Sequence, residues 1–115
     1  MPPAANPFDA QFVYLTTTGR KTGLPREIEI WFVEHRGRVY IFAEHGYKAQ
    51  WVQNVIANPS VRIKINDRQW HATGRVLDAE RDAEICAKVQ ELARAKYGWG
   101  DGLPVEFRLE GEIIG

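Results

Sequence analysis

In the run REIEIWFV, residues 26 to 33, apolar and charged residues alternate, placing Ile28, Ile30 and Phe32 on one side and Glu27, Glu29 and Trp31 on the other. A period of two is the mark of a strand with one buried face. Other strand signals follow along the chain. QFVYLTT (11 to 17) is β-branched and aromatic, RVYIFA (38 to 43) follows a turn at Arg36-Gly37 to make a hairpin, and SVRIKI (60 to 65) alternates again. After the turn NDR (66 to 68), QWHATGRVLD (69 to 78) returns as a longer strand in which Gly74 marks a bend or bulge. PVEFRLEG (104 to 111) supplies a last strand. Five or six mostly antiparallel strands are expected.

Two segments carry a helical period instead. In KAQWVQNVIAN (48 to 58), Trp51, Val52, Val55 and Ile56 share a face, and Asn58-Pro59 ends the helix. Between residues 78 and 100, Ile85, Val89, Leu92 and Lys96 or Tyr97 form a stripe after a cap at Asp78, and Gly98 stops it. The order is strand, strand, strand, short helix, strand, strand, long helix, strand. It predicts a mainly β, α+β domain built as a small barrel, because helices are too few for a parallel α/β sheet. Residues 1 to 10 hold three of the six prolines and read as a flexible N-terminal arm, with residues 11 to 115 as a single domain.

Fifteen Lys and Arg balance fifteen Asp and Glu, which removes the electrostatic case for nucleic acid or an anionic membrane surface. Any anion must then be held locally. The single cysteine, Cys86, excludes an internal disulfide and a cysteine metal cluster, reads as a small apolar residue on a helix, and suits a reducing cytoplasm. No apolar stretch is long enough for a membrane span, and MPPAANPFDA lacks the basic region and apolar core of a signal peptide, so a cytoplasmic protein is expected. His35, His45 and His71 have no zinc-type spacing, so no metal is expected.

One place can hold an anion. The turn after the first strand, GRKTGLPR, combines Gly19 and Gly23, which let the backbone bend and expose N–H groups, with the hydroxyl of Thr22 and the fixed charges of Arg20, Lys21 and Arg26. Phosphate or carboxylate is the matching ligand. It is not a Walker loop, since the glycine-lysine spacing fails and no helix follows. A second stretch, AEHGYKAQWVQNVIANP (43 to 59), sets a strand end at Ala43 and a break at Gly46 next to a helix start, with Trp51 and Asn54 three residues apart on that helix. Trp31, Tyr47, Trp51, Trp70, Tyr97 and Trp99 exceed what a small core needs, and they offer flat walls for a planar ring system.

Three runs, LTTTGRKTGLPRE, IWFVEHRGRVYIFA and WVQNVIANPSVRIKI, in this order and spacing, resemble the deazaflavin-dependent nitroreductase family within the flavin and deazaflavin split-barrel superfamily, over roughly residues 12 to 77. The resemblance implies an FMN-binding type of split β-barrel, a site for coenzyme F420, and hydride transfer to nitroaromatics, quinones or other activated small-molecule acceptors. It carries cofactor-tail contacts onto Arg20, Lys21, Thr22 and Arg26, and ring contacts onto Ile30, Trp31 and Phe32. The strand end and helix carry over onto Ala43, Gly46, Trp51 and Asn54. Where relatives commonly have a small or hydroxyl residue and a lysine before the glycine, this chain has Glu44 and His45. An acidic residue beside a polyanionic cofactor is unfavourable by Coulomb's law, which keeps FMN as the alternative cofactor.

Tyr47, Tyr97 and His45 are the candidate proton donors or substrate-positioning groups. The rival readings are an FMN-binding flavin reductase or pyridoxamine-phosphate-oxidase-like protein, and a non-catalytic carrier of a cofactor or apolar ligand. Small size and the aromatic surplus also point to a homodimer.

Overall fold

The computed structural model describes residues 6–114. Seven antiparallel strands form one sheet: β1 (Phe12–Thr18), β2 (Pro25–Trp31), β3 (Val33–His35), β4 (Arg38–Ala43), β5 (Ser60–Ile65), β6 (Arg68–Val76) and β7 (Leu103–Ile113). Their order across the sheet is β2-β1-β5-β6-β7-β4-β3. The sheet is curled, so β2 at one edge touches β4 beside the other. This is the half-closed, split form of a barrel, mainly β with two helices.

The strand count exceeds the expected five or six because the run from 26 to 33 is interrupted. Phe32 leaves the ladder: its N–H donates to the Tyr97 hydroxyl (3.1 Å), and its carbonyl accepts from the Lys96 Nζ (3.1 Å). Strands β2 and β3 therefore belong to opposite edges, although alternation runs through them without a break.

Helix α1 (Gln50–Ala57) lies within the curl, and helix α2 (Ala83–Tyr97) covers the outside of β3 and β4. Five consecutive residues of β4, Val39 to Ala43, are buried for that reason. Val39 and Ile41 join Leu15, Phe32, Val52, Val55, Ile63 and Phe107 in the inner core, while Tyr40 and Phe42 join Cys86, Val89 and Ala93 under α2. Cys86 is thus a buried apolar side chain on a helix. Below α2, the buried Glu106 accepts from the Tyr40 hydroxyl (2.8 Å), Arg38 Nη1 (3.0 Å) and Arg75 Nη2 (3.3 Å), tying β4, β6 and β7 together. Burial, together with this bond to a carboxylate, raises the Tyr40 hydroxyl pKa far above the usual tyrosine range.

Both helices differ from their sequence pattern in detail. Ile56 is 51% exposed, whereas Asn54 is buried, so the inward arc of α1 is rotated toward the amide. Asn54 is drawn in by its partners, described below. Helix α2 starts at Ala83 rather than after Asp78, because Asp78 closes a turn of its own. Its Oδ1 accepts from the N–H groups of Glu80 (2.8 Å) and Arg81 (2.9 Å). Gly98 ends the helix in the left-handed conformation, φ 76°, as expected of that position.

Gly74 is not the site of a bulge. The register slips between His71 and Ala72, where Glu110 on β7 is left over. Gly74 instead permits close approach: a Cβ there would lie 2.7 Å from Val55 Cγ1 and 2.8 Å from Phe107 Cε1. Gly74→Ala should therefore overpack the junction of α1 with β6 and β7 and lower stability by about 1–3 kcal/mol, read from chemical denaturation.

Of the arm expected over residues 1–10, residues 1–5 lie outside the described residues. Pro7–Asp9 form a 3-10 turn, with the Asn6 side chain accepting from the Phe8 N–H, and the Phe8 ring stacks on Trp70 at 6.1 Å. Among the described residues, no helix is long and apolar enough to cross a membrane, and no three His, Cys, Asp or Glu side chains gather as a metal site.

Candidate functional site

The first turn folds on itself before it can present its charges. The N–H of Gly19 donates to Leu24 O (2.8 Å), the N–H of Gly23 to Gly19 O (2.7 Å), and Gly23 takes φ 73°. Thr22 Oγ1 accepts from Leu24 N–H (3.2 Å). Arg20 is then fastened to α1: its backbone N–H and its Nη1 both donate to Asn54 Oδ1 (3.2 and 3.0 Å), and its Nη2 donates to Gln50 Oε1 (2.9 Å). Asn54 Nδ2 donates in turn to Thr17 Oγ1 (3.2 Å). Both acceptors on Arg20 are neutral amides, so the guanidinium is held in place with its charge uncompensated. Among the described residues, Lys21 and Arg26 form no ion pair either.

These cations line a cleft of about 620 Å³ with Thr17, Thr22, Gln50, Trp51 and Asn54. A second cavity of about 790 Å³ shares Gln50 and Trp51 with this cleft, and its walls are mostly aromatic: Phe12, Trp31, Phe42, Trp51, Tyr97 and Trp99. Ile30, Glu29, Glu44, His45, Ala49 and Gln50 complete this chamber.

The far wall is built from the break at Phe32. The Tyr97 hydroxyl lies 2.8 Å from Gln11 O, 2.7 Å from Phe32 O and 3.1 Å from Phe32 N, so it is occupied by backbone. Its ring stacks on Trp31 with centroids 4.5 Å apart and planes 4° from parallel. Burial raises the Tyr97 pKa. Beside it, Lys96 Nζ donates to Ala10 O (2.7 Å) and sits 4.0 Å from the centre of the Phe32 ring; burial lowers its pKa. Tyr97→Phe should lower stability by about 1–2 kcal/mol, because the buried Phe32 N–H loses its acceptor. A thermal melt against the parent chain tests this.

The structure thus brings together Arg20, Lys21, Thr22, Arg26, Trp51 and Asn54 in the basic half, and Ile30, Trp31, Trp51, His45 and Tyr97 in the aromatic half. Phe32 and Ala43 turn into the core, each 1% exposed. Gly46, at φ 58°, opens the 3-10 turn before α1, and Tyr47 projects outward at 56% exposure; neither lines the cleft. Glu44 lies in the aromatic chamber and not among the cations, so it is not set against an anion held there. Phe12, Thr17, Phe42 and Gln50 were not singled out in the sequence. Gln50 had a signal, since it stands four residues before Asn54 and so projects from the same side of α1.

A family model for the F420H(2)-dependent quinone reductases matches residues 5–105. A solved F420-H2-dependent reductase is 28% identical, with a TM-score of 0.67 over 87% of this chain and 94% of that one. A structure described as a domain-swapped dimer is 27% identical, with a TM-score of 0.61 over 87% of this chain and 80% of that one. HutZ, the heme storage protein of Vibrio cholerae, is 19% identical with a TM-score of 0.66, covering 94% of this chain and 88% of that one, which shows a shared fold alone. With the split barrel and the match over nearly its whole length, the chain belongs to the F420H(2)-dependent quinone reductase family.

Proposed function

We propose that the chain binds coenzyme F420 along this cleft and reduces a quinone, a nitroaromatic or another activated planar acceptor. The observation that carries the reading is that a cation-lined groove and an aromatic chamber adjoin, sharing Gln50 and Trp51 as lining residues. A ring system joined to an anionic tail needs both, and the donor set fits: three cations and a hydroxyl for anionic oxygens, and apolar walls for the ring. When bound, the reduced deazaflavin supplies the hydride.

The protein's own residues do the rest. Arg20, held by two amides, together with Lys21 and Arg26, fixes the anionic end. Trp31, braced by Tyr97, and Trp51 confine the planar end and exclude water. An acceptor oxygen that takes up a hydride also needs a proton. His45 is the candidate donor, because it lines the chamber, whereas the Tyr97 hydroxyl is engaged by backbone and Tyr47 faces away. A homodimer belongs to the same proposal, supported by Phe12, Tyr14 and Trp31, exposed near one another on β1 and β2, and by the 27% identical relative described as a domain-swapped dimer.

Titrating the protein with F420 and FMN side by side, then mixing the reduced F420 complex with menadione and following the return of the oxidised cofactor's absorbance, tests the reading. Tighter binding of F420 and turnover with menadione are expected. Preference for FMN would overturn the cofactor assignment, and binding without turnover would favour a carrier.

A further inference from the structure

The cations are segregated along the cleft, with Glu27 the one carboxylate that lines the basic half beside them. Every Lys and Arg that lines it belongs to the turn and stands in the basic half. In the aromatic chamber the charged side chains are Glu29 and Glu44, with His45 when protonated, and no Lys or Arg lines it. The two carboxylates reach the chamber from different elements, Glu29 from β2 and Glu44 from the residue after β4, and both are exposed at its rim. Among the described residues, neither forms an ion pair. The Tyr14 hydroxyl donates to Glu29 Oε1 (3.3 Å), which orients the carboxylate without neutralising it. Lys64, opposite Tyr14 on β5, and Lys48, before α1, lie outside the lining.

An anionic cofactor tail bound at the turn would, together with Glu27, offset the three cations. The field at the chamber is then set by the two carboxylates, offset in part by His45 while it carries the proton it would donate. We propose that Glu29 and Glu44 select the acceptor by charge, admitting neutral and cationic planar molecules and excluding anionic ones. This rests on the acceptor entering the chamber as described above. Two exposed charges within about 10 Å of an entering anion act through high dielectric, so the discrimination is moderate and fades as salt shortens the screening length.

The test compares a naphthoquinone with its sulfonate and its trimethylammonium derivative. In steady-state turnover of the F420-loaded enzyme at low ionic strength, kcat/KM should be about fivefold or more higher for the neutral compound than for the sulfonate, and at least equal for the cation. The neutral-to-sulfonate ratio should fall toward one in about 1 M salt, where screening is nearly complete. In Glu29→Gln with Glu44→Gln it should fall toward one at low salt as well. A ratio near one in the parent protein, a preference indifferent to salt, or a preference retained by the double variant would each overturn the proposal.

A binding measurement separates this from failure of the catalytic reading. Quenching of tryptophan fluorescence from Trp31, Trp51 and Trp99 by the same three compounds, with excess inorganic phosphate competing at the basic turn, should show the same order of affinities. Absence of turnover with the neutral quinone would count against the function, while the quenching order would still decide the role of the two carboxylates.

Discussion

Lys21→Ala combined with Arg26→Ala weakens binding of coenzyme F420 at least tenfold and leaves the melting temperature nearly unchanged. Both side chains are exposed, line the basic half of the cleft and have no carboxylate partner among the described residues, so their removal costs the fold little. Hydrogen bonds between a charged donor and an anionic oxygen are worth about 1.5–3 kcal/mol each, and exposure trims that, so a loss between tenfold and a few hundredfold is expected for the pair. The parent protein's affinity should also fall with salt more steeply than the variant's. Equal affinities for parent and variant at both low and high salt would remove the turn from the cofactor site. Arg20 is the wrong residue for this experiment, because it is bonded to α1 and its loss would disturb the fold as well as the charge.

Asn54→Ala has the opposite character. It should destabilise the domain by about 2–4 kcal/mol and lower the melting temperature by roughly 10–20 °C, because the buried amide makes three bonds at once. The Arg20 N–H and guanidinium lose a shared acceptor, and Thr17 loses its donor. F420 affinity should fall too, since the guanidinium keeps only Gln50 to hold it in position. Differential scanning calorimetry and a cofactor titration on the same preparation measure both effects. A variant as stable as the parent would show that the amide does not organise the turn.

Period-two runs revealed strands that have one face to bury, and SVRIKI appears in the structure with the residues expected, as Ser60–Ile65. The break at Phe32 was hidden for a physical reason. The groups that compete with the ladder for its backbone are on Tyr97 and Lys96, far along the chain, so nothing local distinguishes Phe32 from Ile30. The rotation of α1 was hidden likewise. A hydrophobic stripe puts Ile56 inside, but Asn54 makes three hydrogen bonds to Arg20 and Thr17, and satisfying them outweighs one isoleucine. In the cleft, the cations of GRKTGLPR were legible as a local anion site. The chamber walls contributed by Phe12, Phe42 and Trp99 depend on the curl of the sheet, which no single segment encodes.

The side chains that form the basic half of the cleft come from residues 17 to 54 only, whereas the aromatic half also takes Tyr97 and Trp99 from the far end of the chain. The chamber is therefore only partly written in the stretch that forms the basic half. Changes in the last turn of α2 and the loop that follows can reshape the chamber without touching the cation-bearing turn. A set of enzymes sharing one coenzyme could diversify in this way, one C-terminal segment at a time.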